Sequence, residues 1–146
     1  MNVEDLYEQV SDTEADNQIS IFDHWLSRSE WEEHSSMRVA KSVANERLES
    51  RLNFFREVFT TLPNMKFFDS DSLSVTSPDI ERIRQAYSSG SAGDMYIDTV
   101  TGIVIQTWYF TDDCDFVWFT KPEQKPILQP ILVSHKLSLL PINRLA

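Results

Sequence analysis

Apolar residues recur along this chain first at helical spacing, then, from about residue 95, at every second position. The most regular helical series is Met37, Ala40, Ala44, Leu48, Leu52, Phe55, Phe59 and Leu62. Steps of three and four residues gather these side chains into one stripe, as a core-facing helix requires. Glu46, Glu49, Asn53 and Glu57 fall on the opposite side. Ser29-Glu30-Trp31-Glu32 reads as a capping box ahead of the series: the serine hydroxyl takes an orphan backbone N–H while the last glutamate reaches back. Pro63 then stops the run. The pattern predicts one long helix over 30–61.

Shorter elements flank it. Leu6, Tyr7 and Val10 form an apolar strip within the acidic residues 4–16, enough for a short helix, although residues 1–18 as a whole read as an acidic, partly frayed arm. Residues 19–26, ISIFDHWL, place Ile21 or Phe22 with Trp25 and Leu26 on one helical face and read as a second short helix packing on the core. Residues 64–77 read as a linker. Ser77-Pro78-Asp79 is a helix start, with serine at the cap and proline at the first helical position. Ile80, Ile83 and Tyr87 give that helix an apolar face, and Gly90 supplies its left-handed C-cap.

The period of two then predicts three strands in a meander: Met95 to Asp98, Ile103 to Phe110, and Phe116 to Thr120. The first turn is Asp98 to Gly102, closed by the glycine. The second, Thr111 to Asp115, is almost all acid. The segment 131–140 fits either a fourth strand or a short helix. The expected fold class is α+β: N-terminal helices, including one long helix, packed on a small antiparallel β-meander of three to four strands. One domain over 1–146 is expected, with a proline-rich C-terminal segment over 121–146.

Pairing Ile97 with Ile103 and Phe110 with Phe116 would put Met95, Ile97, Ile103, Ile105, Tyr109, Val117 and Phe119 on one face, toward the long helix. The other face would collect Tyr96, Val104, Trp108, Phe110, Phe116 and Trp118, with Trp108 opposite Trp118. Two readings of this aromatic face follow. It is covered by terminal segments and is core, or it is partly open and is a contact site, since indoles anchor interfaces disproportionately. In the second reading Asp112, Asp113 and Asp115 rim the patch and select a basic partner.

Charge sharpens this picture. The chain has 23 acidic and 13 basic residues, a formal net charge of -10. Residues 1–33 hold ten of the acids against Arg28 alone. Such a balance argues against nucleic-acid binding, which needs clustered Lys and Arg, and against anionic membranes. It favours a basic protein partner. A single cysteine, Cys114, excludes an intramolecular disulfide and suggests a reducing compartment. With an acidic N-terminus lacking an apolar signal region, and no long apolar segment, a cytoplasmic protein is expected.

Catalytic and metal signatures are missing from the sequence. It holds no Gly-rich strand-to-helix loop, nucleophile elbow, paired-histidine zinc motif or paired cysteines. Asp69-Ser-Asp71 could offer carboxylates to a hard cation, but such residues equally serve turns. Glu30, Glu32, Glu33 and His34 suit the positive end of a helix dipole better than acid–base work. Acid around Cys114 suppresses its thiolate. His24 and His135 are isolated in sequence. Lys41, Arg47 and Arg51 flank the apolar stripe and would snorkel over the sheet edge, or pair with the acidic arm.

The sequence therefore suggests a non-enzymatic acidic binding protein without cofactor or metal, of the inhibitor or neutraliser type: an immunity protein, antitoxin or phage-encoded antagonist. Its expected contact residues are Tyr96, Trp108, Phe110, Asp112, Asp113, Asp115, Phe116 and Trp118. Two alternatives are a homodimeric acidic chaperone or adaptor, and a small enzyme or small-molecule binder with a pocket between the long helix and the sheet.

Overall fold

The long amphipathic run folds as two helices. The computed structural model describes residues 2–89, 93–108 and 114–142, and in it α2 spans Arg28–His34 and α3 spans Lys41–Thr61. The capping box sits two residues earlier than expected, with Ser27 as the cap and Glu30 reaching back. Ser35 ends α2 in an extended conformation and is buried. The Arg47 guanidinium donates to the His34 carbonyl at 2.6 Å and to the Ser36 hydroxyl at 3.2 Å. An arginine one helix further on thus satisfies a terminal carbonyl that helix continuation would otherwise have satisfied. The N-terminal half of the predicted stripe does not join the core: Met37 is 61% exposed, and the buried face of α3 begins at Leu48.

Among the described residues the sheet has seven antiparallel strands, more than the three or four expected: β1 (Asn17–Ser20), β2 (Met65–Asp69), β3 (Ser74–Thr76), β4 (Met95–Asp98), β5 (Val104–Gln106), β6 (Cys114–Trp118) and β7 (Ser138–Pro141). Their spatial order is β3-β2-β4-β5-β6-β1-β7. The predicted meander is its centre, β4-β5-β6. Residues 64–77 form the β2–β3 hairpin instead of a linker. Residues 19–26 are the end of β1 and a loop instead of a helix, because β1 inserts between β6 and β7 and is buried along its whole length. The ambiguous segment 131–140 is both things: α5 (Lys125–Ser134) ends within it and β7 begins within it. Helix α4 (Ile80–Ser89) starts two residues later than the expected first position at Pro78, and the Asp79 carboxylate, not Ser77, accepts the Glu81 N–H at 3.0 Å. The predicted C-cap Gly90 lies outside the described residues.

The turn Asp98–Gly102 forms as predicted. Gly102 has φ of 83°, a left-handed conformation that glycine adopts without a Cβ penalty. A Cβ there would also lie 2.8 Å from the Thr120 hydroxyl. The Asp98 carboxylate is buried and accepts from the Thr101 backbone N–H and hydroxyl.

Helices α3, α4 and α5 cover one face of the sheet. Leu48, Leu52, Phe55 and Val58 of α3 pack with Phe67, Tyr96, Ile103, Ile105 and Val117 from the strands and with Leu128, Ile131 and Leu132 of α5. The space between the long helix and the sheet is filled by these side chains. The other face carries Phe68, Met95, Ile97, Val104 and Trp118, on which Val3, Leu6 and Val10 of α1 (Val3–Ser11) are buried. The acidic N-terminus is therefore a docked amphipathic helix, its acids outward, and not a frayed arm.

The register separates what alternation can fix from what it cannot. Val104, Trp118 and Phe116 share a face, and Ile103, Ile105 and Val117 the opposite one, as predicted. Strand β4 is inverted relative to expectation: Tyr96 pairs with Ile105 and Ile97 with Val104. Tyr96 thus joins the α3 side, while Met95 and Ile97 face α1. Val104, not Trp108, lies opposite Trp118.

Candidate functional site

Helix α1 is too short for the face on which it docks. Nine residues at about 1.5 Å each give roughly 13 Å of helix, whereas seven strands spaced about 4.8 Å apart span roughly 29 Å. It covers the β2-β4-β5 side. Beyond it, over β5, β6 and β1, the described residues leave a groove of about 700 Å³. Its lining is mainly aromatic: Trp108, Phe116 and Trp118 along the sheet, and Trp25 from the loop after β1. Glu14, Ala15, Gln18, Gln106 and Ile142 complete it.

Each ring is placed by the backbone. Phe116 packs edge-on against Trp108 with ring centroids 5.2 Å apart, and Trp118 follows at 6.5 Å. The Trp118 indole donates to the Thr13 carbonyl at 3.3 Å, which ties β6 to the segment leaving α1. Trp25, 50% exposed, donates to the Pro141 carbonyl at 3.1 Å and stands at the groove's far wall. Gln18 and Gln106 are the direct cross-strand neighbours of Phe116 on either side, so both amides share its face.

A buried ionic cluster supports the groove from beneath. Arg51 of α3 is 2% exposed and Asp115 of β6 is 1% exposed, and their charged atoms meet at 2.7 Å. The same carboxylate oxygen accepts the Tyr87 hydroxyl at 2.7 Å and the Trp108 backbone N–H at 2.8 Å. Arg51 in turn donates to the Trp108 carbonyl at 3.1 Å. Both peptide groups of Trp108 are thereby held from the opposite face of the sheet. Burial, first, pushes the Tyr87 phenol well above its usual range, and Arg51 pulls against it. Tyr87 is a neutral hydrogen-bond donor at any physiological pH.

Of the predicted contact residues, the structure brings Trp108, Phe116 and Trp118 together in this groove. Tyr96 is buried on the α3 face. Asp115 cannot rim the patch, since it points to that same interior face and is consumed by Arg51. Phe110, Asp112 and Asp113 lie outside the described residues. Arg51, expected to snorkel at an edge, is instead the fully buried cation. Trp25, Gln18 and the segment 14–15 were not legible as site residues, because they reach the groove only through the pairing of β1 with β6. Asp69 serves its turn, accepting the Asp71 backbone N–H at 3.0 Å, and among the described residues no group of three or more His, Cys, Asp or Glu side chains is placed to hold a metal ion.

A second exposed feature adjoins the groove. His24 lies between Asp23 and Glu30, each at 2.6 Å. Its hydrogen bonds to Asp23 and then Glu30 raise the imidazole above its ordinary 6.5. Hydrogen bonds from His24 and then Ser27 hold Glu30 at about 2. A raised histidine contributes fully below 6.5 and loses its contribution as pH climbs through the raised value. A depressed glutamate contributes above 4.5 and loses it as pH falls toward 2. The clasp is therefore complete between about pH 4.5 and 6.5. NMR titration of His24 is expected to give a midpoint above 6.5 that drops in Glu30→Gln, and an unchanged midpoint would remove the clasp.

No helix of the described residues is long and apolar enough to cross a membrane. No protein-family model matches the chain, and comparisons with curated proteins and with solved structures also find no match.

Proposed function

We propose that this chain is a non-catalytic binding protein that captures a basic protein partner in the aromatic groove, as an inhibitor or neutraliser of the immunity-protein, antitoxin or phage-antagonist type. One observation carries the reading: three of the four tryptophans line a single groove on a sheet face that α1 covers only in part. Accessible apolar surface concentrated in this way marks interaction sites, and tryptophan is the most enriched anchor residue. The acid-rich residues 1–33 supply the groove wall at Glu14 and the loop at Trp25, so the long-range field of the chain is centred near the contact surface.

Partner recovered from the native cell at low salt provides the test. Trp108→Ala is expected to raise its dissociation rate at least tenfold, on the order of 2 kcal/mol for an anchoring indole. Joint neutralisation of Asp12, Glu14 and Asp16 should slow association and flatten its salt dependence. Unchanged kinetics in both variants would sink the reading. The groove's volume favours one other occupant. About 700 Å³ lies within the size range of small-molecule sites, and a flat apolar ligand retained by the purified protein would replace the protein partner.

A further inference from the structure

The lining of the groove has a chemical sign. Among the described residues that line it, Glu14 is the only ionisable one, and no Lys, Arg or His is present. The indole N–H groups of Trp25 and Trp118 are both committed to backbone carbonyls, so these two residues offer a ligand ring surface in place of a donor. Ring faces carry the negative side of the aromatic quadrupole. Gln18 adds an independent indication. It is 8% exposed, yet its side-chain amide makes no hydrogen bond to another described residue. The Gln106 amide, on the other side of Phe116, makes none either. Both amides border the groove, and a ligand that displaces water from them must satisfy their hydrogen-bonding groups.

We infer that the groove is a receptor for an arginine side chain of the partner; this rests on the partner-binding reading and names what is bound. A guanidinium is planar, weakly hydrated and rich in donors. It stacks on indole faces and gives N–H groups to amide oxygens in the same plane. Gln18 and Gln106, flanking one phenyl ring, present two such oxygens once their amides turn toward the ligand. An anion would meet the negative ring faces. An aliphatic side chain would fill the space but leave the Gln18 amide unsatisfied. The chain's net charge of -10 draws a cation to the site.

The test uses the full chain labelled with nitrogen-15 and two blocked tripeptides, one with arginine between glycines and one with citrulline, its neutral isostere. The arginine peptide is expected to shift the indole signals of Trp25, Trp108 and Trp118 saturably. Trp31, outside the groove, serves as the internal reference. The arginine peptide should bind at least fivefold more tightly than the citrulline peptide, and Gln18→Leu should bring that ratio close to one. Gln106→Leu, at a more exposed position, gives the same readout if the Gln18 variant does not fold. Equal binding of the two peptides, or no groove-specific shift with either, overturns the arginine assignment. The partner-binding reading would survive that result. It fails separately, when Trp108→Ala leaves the captured partner's dissociation unchanged.

Discussion

Arg51→Ala is expected to destabilise the protein by about 3–5 kcal/mol, the loss typical when one member of a buried ion pair is removed. The reason is geometric as well as electrostatic. Asp115 is enclosed on the α3 side of the sheet and meets Arg51 at 2.7 Å, so deletion of the guanidinium strands a carboxylate with only the Tyr87 hydroxyl and the Trp108 N–H to satisfy it. The ion pair itself need not be the source of stability. Combining Arg51→Met with Asp115→Asn keeps an acceptor for Tyr87 and Trp108 while removing both charges, and should recover most of the loss. Urea unfolding of the two variants decides the matter. A single variant within 1 kcal/mol of the parent would show that the cluster is solvated and not buried. The Trp108 indole signal should shift in Arg51→Ala, because Arg51 and Asp115 hold the peptide groups on either side of that residue.

Phe55→Ala should cost about 3–5 kcal/mol, the range for emptying a large aromatic site in a core. Phe55 is fully buried at the centre of the α3 face. Its ring lies 5.2 Å from Phe54, 5.8 Å from Phe59 and 6.1 Å from Tyr96, so the cavity would be walled by aromatic groups fixed on a helix and on a central strand. Neither wall can close over it without moving backbone. Met37→Ala, on the same predicted stripe, is the contrast. Met37 is exposed after the break between α2 and α3, and its replacement should stay within about 0.5 kcal/mol. Comparable losses at the two positions would mean that the 30–61 run is one continuous core helix after all.

These two substitutions mark where sequence periodicity stops being informative. A stripe at helical spacing states which residues would share a face if the helix were unbroken. It does not say whether Ser35 and Ser36 let it break, and the Arg47 side chain that caps α2 is a tertiary partner thirteen residues from His34. The groove shows the same division. Alternation assigned Trp108, Phe116 and Trp118 to one face correctly, because a strand's side chains must alternate whatever their partners. It could not set the offset between strands, and Asp115, beside Phe116 in sequence, was read as a rim acid when it is an interior anion.

The sequence by itself determined the class of fold, the presence of α4 with Ile83 and Tyr87 on its buried face, the glycine turn at 102, the parity of β5 and β6, and the acidity of the N-terminal third. All of these are local: they depend on period, on turn stereochemistry or on composition. Tertiary structure alone decided the rest. Strand β1, NQIS, has no alternating apolar pattern, and it is a strand because unpaired backbone groups on β6 and β7 accept it between them. The groove exists because a nine-residue helix meets a sheet whose width was set by strands recruited from both ends of the chain. That sum of distant pairings leaves no periodic trace, and so the residues that border the site, Gln18 and Trp25 among them, become visible only when the sheet is assembled.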